Sequence, residues 1–157
     1  MSPPYDPSRT PIRQLVLEDI EATLQAIAPP TFASTMADGQ VRRYGVGRVT
    51  VSDYPGCVVV PLEETTDDRR TLLQEHLMTV ALQFVVRSAS WRDALLALLA
   101  DARVALLTDH TRGGNAAWTR ITAEEVFDAD ASTPIASAQM TVQVLYRTAY
   151  DDPTTPL

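Results

Sequence analysis

The chain has no lysine: all thirteen of its basic residues are arginines, set against twenty acids for a net charge of −7. A G+C-rich genome accounts for that usage most simply. The acidic balance excludes a general DNA-binding surface, which needs clustered cations facing phosphates. It is compatible with a protein that nucleic acid slides past without sticking. The single cysteine, Cys57, excludes an internal disulfide and any multi-cysteine zinc site. It lies in Gly56-Cys57-Val58-Val59-Val60, where a small hydrophobe in a buried strand is the expected role. No apolar run reaches the length of a membrane span, so no membrane partner is expected. The start, Met1-Ser2-Pro3-Pro4-Tyr5-Asp6, lacks the basic and apolar blocks of a signal peptide, and residence in the cytoplasm is the default expectation.

Histidine is nearly as scarce. His76 reads as a solvated residue at a strand start, and His110 sits just past a helix end, where a cation suits the helix dipole. Neither has metal-ligand spacing. Glu124 and Glu125 are neighbours on a strand and point to opposite faces, so they cannot share a proton or an ion. Asp128-Ala129-Asp130 lacks the remaining oxygens of a calcium loop. Arg112-Gly113-Gly114-Asn115 follows a helix and lacks the Lys-Ser/Thr of a phosphate loop; it ends a helix and admits positive backbone angles. No catalytic, cofactor-binding or metal-binding set emerges, and an enzyme is not expected.

What is present patterns as one α+β domain over residues 11–150, between a flexible arm at 1–10 and a flexible tail at 151–157. Thr10 and Pro11 suit a helix start, and Ile12, Leu15, Val16, Ile20, Leu24 and Ile27 recur at helical spacing up to Pro29-Pro30. Arg42 to Ser52 and Cys57 to Val60 read as strands, separated by a turn at Tyr54-Pro55-Gly56. The run Glu63-Glu64-Thr65-Thr66-Asp67-Asp68-Arg69-Arg70 reads as a polar loop. Residues 77–87 alternate as a strand whose second face is only partly covered, and another subunit is one source of such cover. Ser90 with Asp93 suggests a capping box before a helix over Trp91 to Asp109. In that helix Leu96, Leu99 and Ala105 widen the apolar stripe of Trp91, Leu95, Leu98, Ala102 and Leu106, through deep burial or a contact between subunits. Ala116 to Phe127 and 138–147 complete the strands, with a loop from Asp128 to Pro134 between them. Tyr146 then packs in the core with its hydroxyl at the rim, and Arg147 faces outward, ready for a salt bridge. The expected order is α-β-β-β-α-β-β, a mainly antiparallel sheet of four to five strands with two principal helices.

Three segments carry a resemblance. Leu95-Leu96-Ala97-Leu98-Leu99-Ala100-Asp101-Ala102-Arg103-Val104-Ala105-Leu106-Leu107-Thr108-Asp109 leads through Gly113-Gly114 to Tyr146-Arg147-Thr148 and Asp151-Asp152-Pro153. The order, preceded by the helix that opens Ile12-Arg13-Gln14-Leu15-Val16, resembles the tail terminator (tail completion) proteins of long-tailed bacteriophages over most of residues 11–153. Many members end in Gly-Asp-Pro, where this chain has Asp151-Asp152-Pro153.

The resemblance implies a virion subunit, assembled in the host cytoplasm, that forms a homo-oligomeric ring, typically of six copies. Such a ring docks on the tail tube protein, ends tube growth and offers a surface to the head–tail connector or head-completion protein, with DNA only passing through. Glu63, Glu64, Asp67 and Asp68 are then expected along the channel, where acids would repel phosphates. Arg69, Arg70, Arg112, Gly113, Gly114 and Arg147 join them as interface or lumen candidates. For Arg147 the resemblance places a contact between subunits beside the bridge within one. Another phage neck protein, a head-closure or adaptor subunit, fits the same features. From a different class, a small ligand-binding or hydrolytic α+β domain would need His76, Cys57 and an acid to converge.

Overall fold

The computed structural model describes residues 6–36, 40–43, 54–70, 72–127 and 134–157, with the backbone alone at 68–70. Helix α1 (Ile12–Gln25) buries Ile12, Val16, Leu17, Ile20 and Leu24 on one face. Its N-cap is Pro11, whose carbonyl accepts the Gln14 and Leu15 amides at 3.0 and 3.1 Å, and no side chain caps it, Thr10 included. The helix ends before Pro29-Pro30, at Gln25. Helix α2 (Trp91–Thr108) buries Leu95, Leu98, Leu99, Ala102, Ala105 and Leu106. Its N-cap is Ser90, but the expected capping box is not made: Ser90 Oγ bonds no helix amide. Two of the three stripe-widening residues, Leu99 and Ala105, are therefore buried within the subunit, and Leu96 is left exposed.

The strands are β1 (Val41–Arg43), β2 (Gly56–Arg70), β3 (Leu73–Arg87), β4 (Trp118–Phe127), β5 (Ile135–Ala149) and β6 (Asp152–Pro156). They form one sheet in the order β1-β2-β3-β5-β4, with β6 on β5 beyond the start of β4. Among the described residues only β1 pairs in parallel and every other pairing is antiparallel, so the mainly antiparallel α+β class holds. The described residues form six strands rather than four to five, and a third strand follows α2. Helix α2 carries the chain from β3 across β5 to β4.

Three differences from the expected elements have physical reasons. The polar loop at 63–70 is instead the outer half of β2, and β3 starts at Leu73 rather than at 77. Thr65 and Thr66 are β-branched, and Glu64 and Thr66 point to the helix side opposite Met78 and His76, so the charged stretch is an ordinary half-exposed strand. Residues 151–157 are not a loose tail throughout. Asp152 accepts the Thr154 amide at 2.9 Å and the Thr155 hydroxyl at 2.6 Å, a local turn that aligns β6 with β5. Of the strand expected over Arg42 to Ser52, β1 accounts for the start; 44–53 lie outside the described residues, as does 128–133 of the loop before β5.

Both helices cover the same face of the sheet. The core lies between them and Cys57 and Val59 of β2, Met78, Val80, Leu82, Phe84 and Val86 of β3, and Ala138, Met140, Val142 and Val144 of β5. Among the described residues no helix is long and apolar enough to cross a membrane. Phe84 stands at the centre of the sheet, opposite Cys57 on one side and Ala138 on the other, fully buried. Phe84→Ala should cost about 3–5 kcal/mol through lost burial and a cavity, read as a lower midpoint in urea with an unchanged slope.

Candidate assembly surface

Among the described residues the other face of the sheet carries no helix. Because directly opposed residues share a face, register alone sorts its side chains into rows across the strands. One row is Glu63, Thr79, Gln143 and Arg120; the next is Thr65, Leu77, Leu145 and Trp118; then come Asp67, Glu75 and Arg147. Further along lie Val60, Ala81, Thr141 and Ala123, then Val58, Gln83, Gln139 and Glu125. Small, amide and apolar groups alternate, and most are only half buried. Such a surface tolerates water and still offers apolar area to a partner.

Of the residues expected at an interface or lumen, this face brings together Glu63, Asp67 and Arg147. Arg147 Nε donates to Glu75 Oε2 at 2.9 Å, so its salt bridge is made within the subunit. Glu64 is turned to the opposite face. Asp68, Arg69 and Arg70 continue β2 toward its end, their side chains outside the described residues. Arg112, Gly113 and Gly114 belong to the helical layer and not to this face.

Arg112 is fully buried. Its Nη1 donates to Asp19 Oδ1 at 2.9 Å and to Thr23 Oγ1 at 3.4 Å, and Nη2 donates to the Leu106 carbonyl near the end of α2. One guanidinium thus ties α1 to the C-terminal turn of α2, where a cation also suits the helix dipole. Burial raises the Asp19 carboxyl and lowers Arg112, each against the attraction of the other. The turn that aims this side chain has three successive residues at positive φ: Arg112 at 50°, Gly113 at 69° and Gly114 at 86°. Only Gly114 and Gly113 adopt it without a Cβ penalty. Asp109 stabilises the turn by accepting the Thr111 amide and hydroxyl at 2.9 and 2.6 Å and the Gly113 amide at 2.8 Å. These bonds to its charged form, that with Thr111 first, lower its carboxyl to about 2.

A polar cluster that sequence reasoning missed sits on the helix side. His76, expected to be solvated, is buried, stacked on Tyr146 with ring centroids 4.7 Å apart. Its Nδ1 meets Thr66 Oγ1 at 3.1 Å and its Nε2 meets Thr148 Oγ1 at 2.9 Å. Glu64 Oε1 lies 3.6 Å from His76 Nδ1, and Arg13 of α1 is 3.6 Å from Glu64 Oε2. Burial, then the hydrogen bond to Glu64, pushes the Tyr146 phenol up. The signal was periodicity: Glu64 and Thr66, His76 and Met78, and Tyr146 and Thr148 are each two apart, on one face. Two threonine hydroxyls satisfy the ring nitrogens in either tautomer, which makes the cluster a register lock for three strands.

The hydrolytic alternative meets an obstacle of distance. Cys57 lies opposite Phe84, eight residues along β3 from His76, a separation of roughly 26 Å at the rise of a strand. The Cys57 thiol is also buried, which raises it away from the reactive thiolate. Among the described residues no three His, Cys, Asp or Glu side chains group as metal ligands. A cleft of about 360 Å³ opens between Ser34, Tyr54, Arg87 and Leu98, and neither histidine lines it. Comparison of the chain with protein-family models and with curated proteins gives no match.

Removing Arg112 leaves Asp19 without its partner and a hole between the helices. Arg112→Ala should lower stability by about 3 kcal/mol, and Arg112→Lys should recover only part of it, measured by urea unfolding. Asp109 gives the acid response. A folded pKa of about 2 against 3.8 contributes stability above pH 4 that is lost as pH falls toward 2. Asp109→Asn should therefore show a shallower acid limb than the parent when thermal midpoints are compared across that window.

Proposed function

We propose that this chain is a tail terminator subunit of a long-tailed bacteriophage. Copies of it close into a ring, sixfold as is typical of the family it resembles, at the head-proximal end of the tail tube. The observation that carries the reading is the one-sidedness of the sheet: two helices cover one face, and the other presents rows of Thr, Gln and Leu with Glu63 and Asp67 among them. The resemblance over residues 11–153 supplies the context. The mechanism is geometric, with no bond made or broken: a closed cyclic assembly uses up the heterologous surface on which stacking would continue.

The acids of β2 divide between the two faces of the sheet. Glu63 and Asp67 share the helix-free face, while Glu64 is committed to His76 and Arg13. On this reading Glu63 and Asp67 face passing DNA, where fixed negative charge keeps phosphates from adhering. Arg147 serves the subunit through Glu75.

Deletion of the gene in a producing phage should give overlong or unfinished tubes by electron microscopy. Normal-length tails that fail to join heads would transfer the chain to the adaptor class. Glu63→Gln with Asp67→Asn should leave tail length normal and lower infectivity through slower DNA passage; full infectivity of that variant would remove the acids from the channel.

A further inference from the structure

Strand β4 closes one side of the sheet. Its inner side pairs with β5, and among the described residues nothing pairs with its outer side along Trp118–Phe127. Every residue from Thr122 to Phe127 is exposed. A ten-residue open edge invites indiscriminate strand addition unless something specific occupies it.

The strand is complementary to itself. A bulge between Ile121 and Ala123 shifts the alternation, so Trp118, Arg120, Ala123, Glu125 and Phe127 all face away from the helices. Set antiparallel to an identical strand about an axis through Thr122 and Ala123, Trp118 falls opposite Phe127 of the second copy. Arg120 then falls opposite Glu125 of the second copy, and symmetry repeats both pairs. Two aromatic pairs thus flank two opposite-charge pairs on one face, the combinations that stabilise cross-strand neighbours. The bulges of both strands meet at the axis, so neither displaces the flanking register. Arg120 is already held over the Trp118 ring at 4.2 Å, and neither Arg120 nor Glu125 has an ion-pair partner among the described residues.

The helix side of the same edge agrees. Leu96, Ala100, Arg103 and Leu107 follow one line along α2, and Arg103 Nη2 reaches Glu124 of β4 at 2.7 Å, so that line looks toward the edge. Leu96 and Leu107 on it are 52% and 40% exposed, and Val126 on the helix-facing side of β4 is 41% exposed. These apolar groups would line the joint, with Val126 opposite Thr119 of the second copy.

We propose that the occupant of this edge is a second copy of the chain, joined β4 to β4 in an antiparallel two-fold dimer whose sheet runs on from one subunit to the other. The dimer does not rest on the ring reading. A two-fold pairing of like edges joins two subunits and stops, whereas a ring is built from unlike surfaces.

Charge reversal tests the register. Sedimentation equilibrium of the purified chain should show a dimer. Arg120→Glu alone and Glu125→Arg alone each place like charges opposite one another twice, and each should weaken the dimer on the order of ten-fold or more. Mixing the two single variants should restore it, because one strand then carries two acids and the other two arginines. The double variant should dimerise as the parent does. Both sites are exposed, so thermal midpoints should stay near the parent's. A parent that is monomeric at every concentration reached, an oligomer that survives both reversals, or a mixture that fails to re-form the dimer would each overturn the proposal.

Discussion

The pairing of β3 with β5 is the constraint from which the rest follows. All fifteen residues of β3 oppose fifteen of β5, from Leu73 with Ala149 to Arg87 with Ile135, without a bulge. An unbroken antiparallel register leaves no freedom over which side chain faces where. A slip of one residue would carry either Met78, Val80, Leu82 and Phe84 or Met140, Val142 and Val144 out of the core. It would also part His76 from Thr148. The apolar pattern and the hydrogen bonds of His76 therefore enforce the same alignment. The outer pairings are irregular, β2 with β3 at two register shifts and β4 with β5 at one, and they curve and re-aim what the central pair holds fixed.

That division of labour explains where polar groups are allowed inside. Two of the polar groups packed into the helical layer act as joints. Arg112 joins α1 to α2 through Asp19 and the Leu106 carbonyl; its Nε has no partner, a local cost set against two helices anchored by one side chain. Glu64, His76 and Tyr146 join β2, β3 and β5 at the end of the sheet where α1 begins, through Arg13. Buried polar groups at these points specify an arrangement more than they stabilise it.

Much of this was legible in the sequence because the strongest signals are periodic. Alternation over 78–86 and 138–147 located the central strands, and the spacing of Ile12, Val16, Ile20 and Leu24 located α1. Gly113-Gly114 was rightly read as a positive-φ turn, but its purpose was not legible: nothing local says that Arg112 points inward to a carboxylate ninety-three residues away. Composition misled at 63–70, where consecutive acids look like a loop although Glu63 and Glu64 fall on opposite faces of a strand. It misled again at 151–157, where a hydrogen-bonded aspartate builds a strand next to a proline. His76 was misjudged for a related reason: its partners Thr66, Thr148 and Tyr146 lie in three separate stretches of chain. The open face, being half apolar and half amide, gave a mixed alternation that pointed to partial cover without saying what supplies it.

A sheet whose helices, among the described residues, all lie on one side has two ways to meet other molecules, through its other face and through its edges, and they differ in the symmetry they permit. An edge strand pairs with whatever strand fits its hydrogen-bonding groups, so its specificity must come from side chains beside them. On β4 those side chains mirror one another about the bulge, which favours a like edge and a two-fold axis. On the bare face the acids Glu63 and Asp67 lie toward one side and Arg120 toward the other, in rows with no such mirror. A surface without internal symmetry favours an unlike partner and the repeated rotation of a ring. The two readings thus rest on different strands of one subunit and are separable by experiment. Arg120 and Glu125 stand where the face meets the edge, and their exchange is read by a dimer that re-forms on mixing; neutralising Glu63 and Asp67 leaves β4 unchanged.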